Sequence, residues 1–141
     1  MLYGGDLTPK QCWTLLDSES ATLIDVRTNA EWAYVGMPEL ASHMNPLVGQ
    51  QWQTLPHMEV DGDFVGNLQS KLGQLGVKKD GKLCFICKTG GRSRAAAMAM
   101  TAAGYPNSYN VTHGFDGDAD DKGHRGTING WKADDLPWRQ Q

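Results

Sequence analysis

Apolar residues along this chain follow two spacings, one of amphipathic helices and one of short buried strands. Thr8-Pro9 opens the first helix, with a hydroxyl N-cap and proline at the first helical position. That helix is expected to run through Gln11, Trp13, Leu15 and Leu16 to about Asp17. Ala21 to Val26 then reads as a buried strand. Thr28 with Glu31 three residues later forms a capping box for a short helix through Trp32 and Tyr34. From Gly36 to Gly62 the pattern is irregular, broken by Pro38, Pro46 and Pro56, with room for a short extended piece around His43-Met44-Asn45.

Phe64, Leu68, Leu72 and Leu75 return at helical spacing, which predicts an amphipathic helix from Asp63 to about Leu75, stopped by Gly76. Residues 82–86 form an apolar, β-favouring run. Ser93 to Ala103 is rich in strong helix formers and ends at Gly104. Ser108 to Val111 is a last short strand leading to Gly114-Phe115, and the polar, glycine-rich tail from Asp116 has Trp131 and Trp138 as anchors. Strands alternating with helices predict an α/β layer architecture around a mainly parallel sheet, and 141 residues fit one domain spanning 1–141.

Composition narrows the function classes. A net charge of -3, with no Lys/Arg stripe interleaved with aromatics, argues against a nucleic-acid partner. No apolar run approaches the roughly 18 residues of a membrane span, and the first residues lack the pattern of a signal peptide. Three cysteines, Cys12, Cys84 and Cys87, are odd in number and too few for a disulfide framework, so a reducing, cytoplasmic setting is expected. The four histidines show no ligand spacing, and no metal or cofactor is expected. Asp116-Gly117-Asp118-Ala119-Asp120 lacks the glycine and glutamate of a calcium loop and reads as a solvated acidic loop.

The chemistry concentrates in Cys87-Lys88-Thr89-Gly90-Gly91-Arg92-Ser93. A thiol stands where a strand stops, followed by a two-glycine turn and a helix start. Helix N-termini present unpaired N–H groups and partial positive charge, and cations beside a cysteine favour thiolate, the nucleophilic form. Curled by Gly90 and Gly91, the backbone N–H groups can form a concave nest for an anionic sulfur. Arg92 and Lys88 can attract a doubly charged oxyanion, and Thr89 and Ser93 can add hydroxyl donors; Ser93 can equally cap the next helix. The catalytic candidates are therefore Cys87 and Arg92, with Lys88, Thr89, Gly90, Gly91 and Ser93 binding substrate.

This loop, together with Leu23-Ile24-Asp25-Val26-Arg27, Glu31-Trp32, Gly104-Tyr105, Gly114-Phe115 and Gly130-Trp131, resembles the single-domain rhodaneses of the sulfurtransferase superfamily. The resemblance implies a five-stranded, mostly parallel sheet with helices on both faces. It also implies a cysteine that takes sulfane sulfur from a donor such as thiosulfate and passes it, as a persulfide, to cyanide or a thiol. Asp25, Arg27 and Glu31 are read as structural. The segment after Tyr34 departs from the family's usual run. Residues 50–63 and 116–129 read as extra surface material that does not touch the cysteine and bears on which donor or acceptor docks.

Three alternatives stay open on the same residues. A rhodanese-fold relay or docking module would hand the persulfide to one protein partner. A phosphatase or arsenate reductase would use a similar nest, but with five residues between cysteine and arginine where this loop has four. Cys84 and Cys87 have the spacing of a redox pair, yet residues three apart on a strand point to opposite faces.

Overall fold

In the computed structural model, which describes residues 2–140, five short strands form one sheet in which every pairing is parallel. In chain order the elements are β1 (Gly5–Leu7), α1 (Pro9–Ser18), β2 (Thr22–Asp25), α2 (Asn29–Tyr34), β3 (Met37–Pro38), β4 (Val48–Gly49), β5 (Gln53–Thr54) and β6 (Glu59–Val60). They continue as α3 (Phe64–Gln74), β7 (Leu83–Ile86), α4 (Gly91–Ala102), β8 (Ser108–Val111) and β9 (Trp138–Arg139). The sheet order is β1-β8-β7-β2-β4, so β7, which leads into Cys87, is the central strand.

Every residue of β2 and β7 is buried, as expected where helices cover both faces of a parallel sheet. Alternate side chains enter different layers. Ile24, Leu83 and Phe85 pack with Phe64, Leu68 and Leu72 of α3 and with Ala96, Ala97 and Met100 of α4. Leu23, Cys84 and Ile86 pack on the other side with Cys12 and Leu16 of α1, Phe115 and Trp131. Trp131 is thus the anchor expected of it, its indole N–H donating to the Pro137 carbonyl at 2.7 Å. Trp138 is partly exposed and joins β9 to β3 in an antiparallel pair.

Both capping boxes form. Thr8 Oγ1 accepts from the Gln11 N–H while Gln11 Oε1 accepts from the Thr8 N–H, and Thr28 and Glu31 repeat the arrangement at α2.

Several boundaries differ from the sequence expectation. Residues 42–44 make a turn and bend, Asn45 is irregular, and the strand of that region is Val48–Gly49, paired with Ile24 and Asp25 of β2. Pro46 has no N–H for a ladder, whereas buried Val48 fills the sheet edge. The irregular stretch holds a small β5–β6 hairpin. β1 carries no apolar alternation and is defined by pairing with β8, a tertiary contact that local propensity does not encode. Helix α4 begins at Gly91, two residues before Ser93, with Gly90 at φ +113° making the turn into it.

Candidate active site

Cys87 directly follows the last residue of the central strand, Ile86, and is buried. Two polar groups reach its sulfur: the Gly90 N–H donates to Sγ at 3.1 Å, and Ser93 Oγ lies at 3.2 Å. The turn at Gly90 brings its N–H back over the thiol, and one helical turn places Ser93 beneath it. Ser93 is fully buried and makes a second hydrogen bond, donating to Asn110 Oδ1 of β8 at 2.6 Å. It therefore serves the sulfur and the sheet and does not cap α4, whose N-cap is Gly90 without a side-chain bond.

The loop's carbonyls point the other way and need donors. The Phe115 N–H donates to the Cys87 carbonyl at 2.7 Å, and those of Asp116 and Gly117 donate to the Lys88 carbonyl at 3.0 and 3.3 Å. The start of the tail thus braces the cysteine loop, contrary to the expectation that residues 116–129 stand apart from it. An N–H-inward nest turns its carbonyls outward, so some neighbouring backbone must satisfy them. Gly114, at φ +62°, permits the contact: a Cβ there would meet the Lys88 carbonyl carbon at 2.6 Å and the Cys87 carbonyl closer still. Farther along, Asp120 accepts from the N–H groups of Lys122 and His124 and from the Thr127 hydroxyl, so this acidic loop closes on itself.

Arg92 is turned to Glu31 of α2. The pair is bidentate, Nη1 to Oε1 at 2.7 Å and Nη2 to Oε2 at 2.9 Å, and both side chains are largely buried. The hydrogen bonds to Glu31 raise the Arg92 pKa against the opposing effect of burial, with the charges of Glu31, Cys87 and Asp25 adding to the rise. Arg92 therefore contributes positive field near the sulfur while two of its donors are held by a carboxylate. Lys88 and Thr89 stand exposed on the loop, free of the sulfur's hydrogen-bond shell.

Asp25 and Arg27 form a fully buried ion pair at 2.7 Å. Arg27 also donates to the Gly36 carbonyl and lies over the Phe115 ring at 4.3 Å. This pair ties β2 to the segments that brace the cysteine loop and has the structural role expected of it. Glu31, expected in the same structural set, is linked to the site by its clamp on Arg92. Its sequence signal is a glutamate within the Asp25-to-Trp32 motif, but the partner is 61 residues away in the chain. Asn110 and, behind it, Asp6 also belong to the site and carry no sequence signal.

Cys84 faces the opposite layer from Cys87, beside Cys12. A hydrogen bond to Cys84 and burial push the Cys12 thiol well up, as expected for packing thiols. A shallow depression of about 330 Å³ opens beside the loop, lined by Asp6, Thr89, Gly90, Arg94, Asn110 and His113 among others. A larger one, of about 450 Å³ near Glu19, Leu75 and Lys82, lies at the other end of β7, away from the thiol. Among the described residues, no helix is long and apolar enough to cross a membrane.

The chain is similar to known proteins over most of its length. Residues 8–121 match the family model of the Rhodanese-like domain. An uncharacterized protein of Rickettsia conorii is 34% identical over 125 residues, covering 89% of this chain and 88% of the relative. A thiosulfate sulfurtransferase, GlpE, of Actinobacillus pleuropneumoniae is 29% identical over 79% of this chain and 83% of its own. The crystal structure of Rv0390 from M. tuberculosis superposes with a TM-score of 0.86 at 40% identity, covering 99% of both chains.

Proposed function

The chain belongs to the rhodanese-like family, and from that premise we propose that it is a sulfurtransferase whose Cys87 carries the transferred sulfur as a persulfide. In the first displacement the Cys87 thiolate attacks the outer sulfur of thiosulfate. The new S–S bond forms as the old one breaks, leaving Cys87–S–S⁻ and releasing sulfite. In the second, cyanide or a thiolate attacks the outer persulfide sulfur, giving thiocyanate or a new persulfide and returning the Cys87 thiolate. Charge and atoms balance in both steps, and no cofactor takes part.

The observation that carries the reading is the Cys87 sulfur at the end of the central strand, with the Gly90 N–H at 3.1 Å and the start of α4 behind it. That N–H and the positive end of the helix stabilise negative charge on sulfur. Gly90 and Gly91 keep the loop open to a ligand, while Thr89 and Lys88 meet the incoming donor at its rim. Lys88 and Arg92 attract and neutralise the dianion, Arg92 chiefly through its field while Glu31 holds two of its hydrogen-bond donors. A protein persulfide can replace thiosulfate as donor and a protein thiol can replace cyanide as acceptor.

Steady-state thiocyanate formation tests this. Covalent transfer through one residue gives ping-pong kinetics, with parallel double-reciprocal lines as thiosulfate and cyanide are varied. Converging lines, or an undiminished rate in Cys87→Ser, would refute a Cys87 persulfide.

A further inference from the structure

The sulfur lies at one end of a chain of polar side chains that leads to solvent. Ser93 Oγ lies 3.2 Å from Cys87 Sγ and donates to Asn110 Oδ1 at 2.6 Å; Asn110 Nδ2 donates to Asp6 Oδ1 at 3.1 Å; and the Tyr3 hydroxyl donates to the same Asp6 oxygen at 2.9 Å. Ser93 and Asn110 are buried, whereas Asp6 is exposed on β1 at the depression beside the loop.

The direction of this chain follows from the carboxylate. An ionised Asp6 only accepts, so Asn110 turns its NH₂ toward it and its carbonyl oxygen toward Ser93. Ser93 has a single proton, and Asn110 Oδ1 takes it. Toward Cys87, Ser93 can then only accept, which suits S–H and sets a lone pair against S⁻. For Ser93 to donate to a thiolate, buried Asn110 Oδ1 must lose its donor, or the amide must flip its oxygen onto the Asp6 carboxylate. Either rearrangement is unfavourable.

On the reading of Cys87 as sulfur carrier, we propose that Asp6 is a positioning residue. Through Asn110 and Ser93 it orients the hydroxyl so that a lone pair, not the O–H, faces unloaded Cys87, which opposes the Gly90 N–H and biases the sulfur toward the thiol until the chain reverses. Replacing Asp6 with asparagine removes the block. The new amide NH₂ can donate to a flipped Asn110 oxygen, Asn110 then donates to Ser93, and Ser93 donates to the thiolate. Other charged or titratable groups around this chain include Lys88 in the loop, Arg92 with its partner Glu31, Asp25 at the end of β2, Arg94 on α4, Tyr3 before β1, His113 after β8 and Asp116 against the loop. None of them lies between Asp6 and the sulfur in the hydrogen-bond sequence.

The test is the pH dependence of Cys87 alkylation by iodoacetamide, a neutral probe, followed by mass of the Cys87 peptide. D6N is expected to lower the midpoint by about one pH unit, the scale of one hydrogen bond to a charged group. Loss of a negative charge alone would also lower it, so the same substitution is made on a Ser93→Ala background. A relay through Ser93 predicts that most of the shift disappears there. An equal shift on both backgrounds, or no downward shift in D6N, would overturn the proposal. The readout needs no sulfur transfer, so a protein unable to form a persulfide would refute the functional reading and leave this test intact.

Discussion

Replacing Glu31 with glutamine removes the charge from one end of the clamp that holds Arg92. Glutamine keeps an oxygen for the Thr28 N–H and one Arg92 nitrogen, but its NH₂ then faces the second nitrogen, donor against donor. One charge-assisted hydrogen bond is lost between groups that are only 17% and 20% exposed in the wild type. That corresponds to about 1–2 kcal/mol of stability, or a fall of about 3–6 °C in Tm for a chain of this size. The pH dependence separates the ion pair from simple repacking. Burial acts to raise the Glu31 carboxyl, but the hydrogen bonds from Arg92 and Thr28 outweigh it and hold the pKa below its usual value. A carboxylate with a depressed folded pKa contributes stability above its unfolded value, near ~4.3, and loses it as pH falls through the lower folded value. The gap between wild type and Glu31→Gln should therefore be full near neutrality and shrink below about pH 4. Urea unfolding of both proteins at roughly pH 7, 5 and 3.5 reads it directly. A gap that is absent at neutral pH, or equally large at the most acid point, would refute this reasoning.

Other positions give sharper or more local effects. Gly114→Ala should destabilise by more than ~1 kcal/mol, because its φ is positive and a Cβ meets the loop carbonyls; urea unfolding and thiocyanate formation should fall together. Arg27→Met leaves the Asp25 carboxylate buried without its cation and should cost about 3–5 kcal/mol, seen as low soluble yield or an early urea midpoint. A Cys12→Ala, Cys84→Ala double variant should keep its transfer rate, since both thiols occupy the layer opposite Cys87; a rate lowered tenfold in folded protein would reinstate a redox partner.

The parts legible in the sequence are those set by contiguous residues. The apolar runs of β2 and β7, the two capping boxes and the strand–glycine–helix passage around Cys87 each depend on neighbours within a few positions. β1 and β4 are not legible as they occur: Gly5–Leu7 and Val48–Gly49 become strands only by pairing with β8 and β2. In the site, Cys87, Gly90 and Ser93 are within reach because they share one loop. Glu31, Asn110 and Asp6 come from α2, β8 and β1, and the topology alone converges them on the loop. The bracing of the Cys87 and Lys88 carbonyls by residues 115–117 escapes for the same reason, since backbone donors leave no side-chain signature.

The intact mass of the protein after incubation with thiosulfate, before and after cyanide, tests sulfur transfer most directly. A gain of one sulfur atom, removed by cyanide and absent in Cys87→Ser, is the expected result. No gain in a folded protein whose Cys87 still alkylates, or a gain that persists in Cys87→Ser, would contradict a persulfide on this residue.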